Sequence, residues 1–135
     1  MTSDEQHRSA KASAHRIEVS AATQYLPDQS DEAAGRYVFA YRISIKNAGR
    51  VTAQLLSRHW IIRDAREHVQ EVRGEGVVGE QPVRRPGESF EYTSGTSLQT
   101  PVGTMHGSYQ MVTEDGTHFD AEIPEFTLSM PRVLH

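Results

Sequence analysis

Gly74-Glu75-Gly76-Val77-Val78-Gly79-Glu80-Gln81-Pro82 is the segment on which the choice of fold turns. Its glycines fit G-x-G-x-x-G, the spacing that in a dinucleotide-binding fold holds a pyrophosphate at the start of a helix. That reading would make the chain α/β. It requires a strand before the motif, a helix opening inside it, and an acidic residue ~20 positions later for a ribose. Only the first is met. After Gly79 the chain runs Glu80-Gln81-Pro82-Val83-Arg84-Arg85-Pro86-Gly87, where prolines remove amide donors and break helical register. Without a helix there is no macrodipole, Glu75 and Glu80 would repel a phosphate, and no lysine follows the last glycine as a P-loop needs. The segment therefore reads as a connection between strands, with Gly74, Gly76 and Gly79 supplying positive φ or close backbone approach. Arg84 and Arg85 are the feature that keeps an anion site in view.

Outward from this segment the dominant pattern is alternation with period two. Upstream, His68-Val69-Gln70-Glu71-Val72 predicts a short strand, and Gln54 to Asp64 a longer one with Leu56, Trp60 and Ile62 on the even face. Trp60 is the only tryptophan, and a ring of that size in mid-strand is expected to fill the space between two sheets. Arg36 to Lys46 is the clearest strand, with Tyr37, Phe39, Tyr41, Ile43 and Ile45 on one face. It ends at the turn Asn47-Ala48-Gly49. Before it, His15 to Ala21 alternates around Ile17 and Val19, and a turn follows at Leu26 to Asp31.

Downstream, Glu88 to Ser94 alternates around Phe90 and Tyr92, and Gly95 to Pro101 is expected to form an irregular, hydroxyl-rich crossing. Gly103 to Val112 places Met105, Tyr109 and Met111 inward. Glu114-Asp115-Gly116-Thr117 predicts a type I′ hairpin. The last strand has apolar odd positions up to Ile123 and apolar even ones from Phe126, so a bulge or a sheet-switching bend is expected at Pro124. Seven or eight strands, no helical periodicity and turn signals every ~8–12 residues predict an all-β, two-sheet antiparallel sandwich, with a small barrel as the alternative.

The chain has 135 residues, a one-domain length, with 36% hydrophobic and 24% charged residues and a formal net charge of -4. Twelve arginines and two lysines are scattered among acidic residues, which argues against a nucleic-acid partner. Cysteine is absent, so disulfides, thiol catalysis and zinc ribbons are excluded. No stretch approaches the ~18 apolar residues of a membrane span, and no apolar leader is present, which leads to the expectation of a cytoplasmic protein without membrane insertion. Residues 1–15 read as a flexible tail and 16–135 as one domain.

Several runs carry a resemblance. Arg36 to Tyr41, Gln54 to Trp60, Gly74 to Pro82, Tyr92 to Gly95 and Thr100 to Met105 resemble the bacterial ApaG family, over about Ile17 to His135. The resemblance implies a fibronectin type III-like or immunoglobulin-like sandwich and no defined reaction. It also implies an association with cobalt and magnesium resistance, and protein recognition in the related eukaryotic domains. Cobalt favours imidazole, but His59, His68, His106 and His118 form neither H-x-H nor H-x-x-x-H, and no metal site, cofactor or catalytic residue is assigned. No G-x-S-x-G elbow holds a serine nucleophile.

The expectation is thus a noncatalytic binding or adaptor module whose partner is another protein. The alternative is an accessory protein binding a small anion, such as pyrophosphate or a nucleotide, or a divalent metal. The candidate binding segments are Gly74 to Gly87, including Gly74, Gly76, Gly79, Arg84 and Arg85, and Thr93 to Thr104, including Thr93 and Ser94. The arginines are taken as exposed loop charges, so their reversal is expected to spare stability. Trp60, Phe39, Tyr41 and Tyr109 are assigned to the core.

Overall fold

The computed structural model describes residues 15–131. Their strands are β1 (Ile17–Tyr25), β2 (Tyr37–Asn47), β3 (Ala53–Asp64), β4 (Val69–Glu75), β5 (Val83–Arg84), β6 (Ser89–Leu98), β7 (Val102–Thr113) and β8 (His118–Ser129). They form two antiparallel sheets, β1-β2-β6 and β4-β3-β7-β8, with β5 added to β3. This is the expected sandwich and not the barrel, because β6 and β4 end their sheets unjoined.

The core lies where the apolar faces meet. Phe39, Tyr41, Ile43 and Ile45 of β2 face Trp60 and Ile62 of β3, Met105, Tyr109 and Met111 of β7, and Ile123 and Leu128 of β8, all buried. Trp60 is 2% exposed. Tyr41, Phe126 and Tyr109 meet its ring edge-to-face at 5.5, 5.8 and 6.4 Å, the geometry favoured by the aromatic quadrupole. Gly107 lies opposite it on β7, and a Cβ there would sit 1.9 Å from the His59 carbonyl oxygen. Only glycine admits so close an approach of the two strands.

Four local expectations are corrected. The segment Gly95 to Leu98 is not an irregular crossing. β6 runs to Leu98, in unbroken register with β2 from Ser89↔Lys46 to Leu98↔Tyr37. Ser94 and Thr96 occupy half-buried positions where the alternation called for apolar residues, so the sequence pattern fades while main-chain pairing continues. In β3 the inward residue is Leu55, at 1% exposure, and not Leu56. A bulge between Leu55 and Ser57 takes Leu56 out of register with β7 and shifts the parity of the strand.

The turn after β7 is not type I′. The Gly116 amide donates to the Thr113 carbonyl at 3.0 Å, and φ is +85° at Gly116 but not positive at Asp115, so a type I turn is followed by a left-handed glycine. β1 extends past Ala21 to Tyr25. Of the predicted tail, residues 1–14 lie outside the described residues, while the His15 ring stacks on Phe119 at 5.0 Å. The feature at Pro124 is a bulge, set against His106 between the pairs Met105↔Phe126 and Gly107↔Ile123, and β8 stays within one sheet.

Candidate functional site

The glycine segment is a hairpin tip clamped to the β3 bulge. Gly74 and Glu75 still belong to β4. Val77 then sends its whole side chain into the core, at 0% exposure. The turn Val77-Val78-Gly79-Glu80 is closed by Val77 N–H to the Glu80 carbonyl at 2.8 Å and Glu80 N–H to the Val77 carbonyl at 3.0 Å. Its central residues have φ of 44° at Val78 and 82° at Gly79, the two positive values that define a type I′ turn.

Three groups of β3 fasten this tip. The Leu56 carbonyl, freed by the bulge, accepts from Gly76 N–H at 2.8 Å and from Gln81 Nε2 at 2.9 Å. Leu55 N–H donates to the Pro82 carbonyl at 3.0 Å. Arg58 Nη1 donates to the carbonyls of Glu75 and Gly76 at 2.9 and 2.8 Å. Its guanidinium lies against Gly74, where a Cβ would meet Nη2 at 2.7 Å. Each of the three glycines thus has its own task. Gly74 makes room for Arg58, Gly76 takes φ of +60° beneath the Glu80 carbonyl, and Gly79 completes the turn. The amides of Gly76, Val77 and Glu80, which a phosphate cradle would direct at its ligand, are already bonded within the protein.

Val78 is the anomaly. It is 57% exposed, and a β-branched residue at positive φ is strained by about 1–3 kcal/mol. Glu75 and Glu80 flank it, both exposed and neither ion-paired among the described residues. The tip therefore offers a small apolar side chain between two free carboxylates.

Beside the tip, on the outer face of the larger sheet, a polar cleft of about 490 Å³ is lined by Arg58, His59, Arg73, Ser108, Gln110 and Asp120, among others. Several of its groups are bonded to one another or to a neighbour. Ser57 Oγ donates to Gln110 Oε1 at 2.8 Å, and Gln110 Nε2 donates to Ser108 Oγ at 2.9 Å. His59 Nε2 lies 2.6 Å from Glu71 Oε1, a hydrogen bond that holds the exposed Glu71 carboxyl below its ordinary range, with Arg73 assisting at 3.3 Å. Among the described residues no three His, Asp or Glu side chains are placed to share a metal ion. In the core, the hydroxyls of Tyr92 and Tyr109 meet at 2.5 Å. Burial pushes Tyr92 up to about 12 and Tyr109 well above its ordinary value, so both stay protonated near neutrality.

The remaining sequence-predicted residues lie apart from the tip. Thr93 and Ser94 are in β6, in the other sheet. Arg84 is no free loop charge. It is half-buried, its Nε donates to the Ser89 carbonyl at 2.8 Å, and its guanidinium lies 5.0 Å from the Phe90 ring centroid. Arg85 is exposed and pairs with Glu88 at 3.3 Å. Charge reversal of the two arginines is therefore expected to have unequal effects. Arg84→Glu should lower stability by about 1–2 kcal/mol through its lost hydrogen bonds and cation–π contact, and Arg85→Glu by about 0.5 kcal/mol or less. Thermal unfolding of the two single mutants checks this. Sequence reasoning missed Arg58 and Val78. The signal for Arg58 was a charge set inside an apolar alternation, whereas nothing in the sequence marks Val78.

Two antiparallel sheets, β1-β2-β6 and β4-β3-β7-β8, closed on one core give the arrangement of an immunoglobulin-like or fibronectin type III-like sandwich domain. The chain belongs to the ApaG family, whose domain model matches residues 27–113. It is 66% identical over 126 residues to Protein ApaG of Thiobacillus denitrificans, covering 93% of this chain and 99% of that protein. It is 65% identical over 121 residues to Protein ApaG of Dechloromonas aromatica, covering 90% and 95%. A crystal structure from Bordetella pertussis, described as an ApaA protein, superposes with a TM-score of 0.84 at 55% identity over 87% of this chain and 96% of that one. Among the described residues no helix is long and apolar enough to cross a membrane.

Proposed function

We propose that this domain is a noncatalytic recognition module of the cytoplasm that binds another protein through the hairpin tip. The observation that carries this reading is Val78, exposed and strained at a tip whose backbone is fastened on both sides. Strain at an exposed position contributes nothing to folding, and loops fixed on a rigid scaffold are where recognition is concentrated. The complementary surface is a shallow apolar pocket bordered by lysine or arginine, since Glu75 and Glu80 flank the valine. Any contribution to cobalt or magnesium tolerance runs through that partner.

Val78→Asn tests the reading by separating stability from binding. Asparagine tolerates left-handed backbone, so the variant should gain about 1 kcal/mol in denaturant unfolding. The same variant should lose the proteins that the parent chain captures from its native lysate, measured by quantitative mass spectrometry. A more stable variant that retains the same partners contradicts the proposal, and so does one that gains no stability.

A further inference from the structure

Each sheet has two edges, β1 and β6 in one and β4 and β8 in the other, and β6 is the weakly guarded edge that ends at a cleft. Native edges are ordinarily protected by charge, proline, bulges or shortness. β4 carries Glu71, Arg73 and Glu75 within seven residues. β6 has ten residues with no proline, no lysine and a single charge, Glu91, and its positions Thr93, Gly95 and Ser97 are exposed. Among the described residues, the main chain of β6 from Phe90 to Leu98 pairs with β2 alone.

At the C-terminal end of this edge a cleft of about 370 Å³ opens between Ser97 to Gln99 and the β3–β4 hairpin. Asp64, which lines it, has a side chain only 6% exposed. Oδ1 accepts from Arg66 N–H at 2.8 Å and from His68 N–H at 3.0 Å. Oδ2 has only His68 Nδ1, at 3.9 Å, too far for a hydrogen bond. No buried side-chain oxygen among the described residues lacks a partner, so this oxygen is open to the cleft. A carboxylate held in low-dielectric surroundings with one oxygen free is an acceptor for a cation. Arg36 also lines the cleft and is exposed, and it would repel a second positive charge.

We propose that β6 is a strand-addition edge for an extended segment of another protein, whose one lysine or arginine, set among uncharged residues, enters the cleft beside Asp64. Main-chain hydrogen bonds along the edge supply affinity, and the free oxygen of Asp64 supplies selectivity. The proposal rests on the reading of the domain as a protein-recognition module but uses a surface separate from the Val78 tip.

The test uses the full ¹⁵N-labelled chain and three capped peptides. These are Thr-Val-Thr-Lys-Thr-Val-Thr, the same peptide with glutamate for lysine, and the lysine peptide N-methylated at alternate residues. The lysine peptide should give saturable amide shifts and slowed amide exchange from Glu91 to Ser97. The glutamate peptide, and the lysine peptide on Asp64→Asn, should bind at least about tenfold more weakly. Asparagine keeps the oxygen that accepts from Arg66 and His68, so the fold is retained. The N-methylated peptide should not bind. The proposal is overturned by no saturable shift at millimolar lysine peptide, by protection confined to β4, or by equal affinity for the lysine and glutamate peptides. Protection of β6 without peptide, together with a doubled hydrodynamic mass, would make a second copy the occupant and overturn it too. If these arms fail while capture through Val78 succeeds, the module reading stands and this edge is ruled out.

Discussion

Trp60→Ala is expected to lose about 3–5 kcal/mol in denaturant unfolding, the range found when a large buried aromatic is truncated. The loss has two parts. The indole, 2% exposed, forfeits its transfer free energy and its edge contacts with Tyr41, Tyr109 and Phe126. A cavity then remains between the sheets, and local collapse cannot close it. β3 and β7 already meet at the Gly107 approach, where a Cβ would sit 1.9 Å from the His59 oxygen. The midpoint should fall with the denaturant slope unchanged, and a loss under about 1 kcal/mol would contradict the placement of Trp60 as the centre of the core.

The second large effect is at the tip. Gly76→Val is expected to lose about 3 kcal/mol or more, by combining a left-handed residue with steric overlap. At φ of +60° a Cβ would lie 2.3 Å from the Glu80 carbonyl oxygen, which is itself bonded to Val77 N–H. Relieving the clash opens the turn and pulls the buried Val77 from the core. It also breaks the bonds from Arg58 and to Leu56. Gly79→Ala is the control, because Gly79 is also left-handed at +82° but has nothing within 4 Å of its added Cβ, so only backbone strain of about 1 kcal/mol is expected. Equal losses at the two glycines, measured by denaturant unfolding, would mean that the clamp does not bear on stability.

What the sequence discloses about this protein follows from which forces leave a periodic trace. β2 is legible because Phe39, Tyr41, Ile43 and Ile45 must all face one core. The end of β6 is not, because Ser94 and Thr96 sit inward near its margin and the strand persists on main-chain pairing with β2. The switch from Leu55 to the even face of β3 depends on a bulge, which is set by the register of a strand some fifty residues away. The rejection of a phosphate loop was available from the prolines and the two glutamates. The turn that replaced it was not, because a type I′ hairpin is signalled by Asn-Gly or Asp-Gly and is here made by Val78-Gly79. That mismatch between residue and conformation is what singles out the tip, and local rules are expected to break at functional positions.

The glycine motif is a clamped hairpin and not an anion cradle. Titrating the ¹⁵N-labelled chain with pyrophosphate and with ATP tests it, read at the amides of Gly76, Val77, Gly79 and Glu80. No saturable shift is expected at these amides up to millimolar ligand, because three of the four already donate to carbonyls of the protein. Saturable micromolar shifts centred on Gly76 to Glu80, abolished by a substitution there that leaves the domain folded, would contradict it.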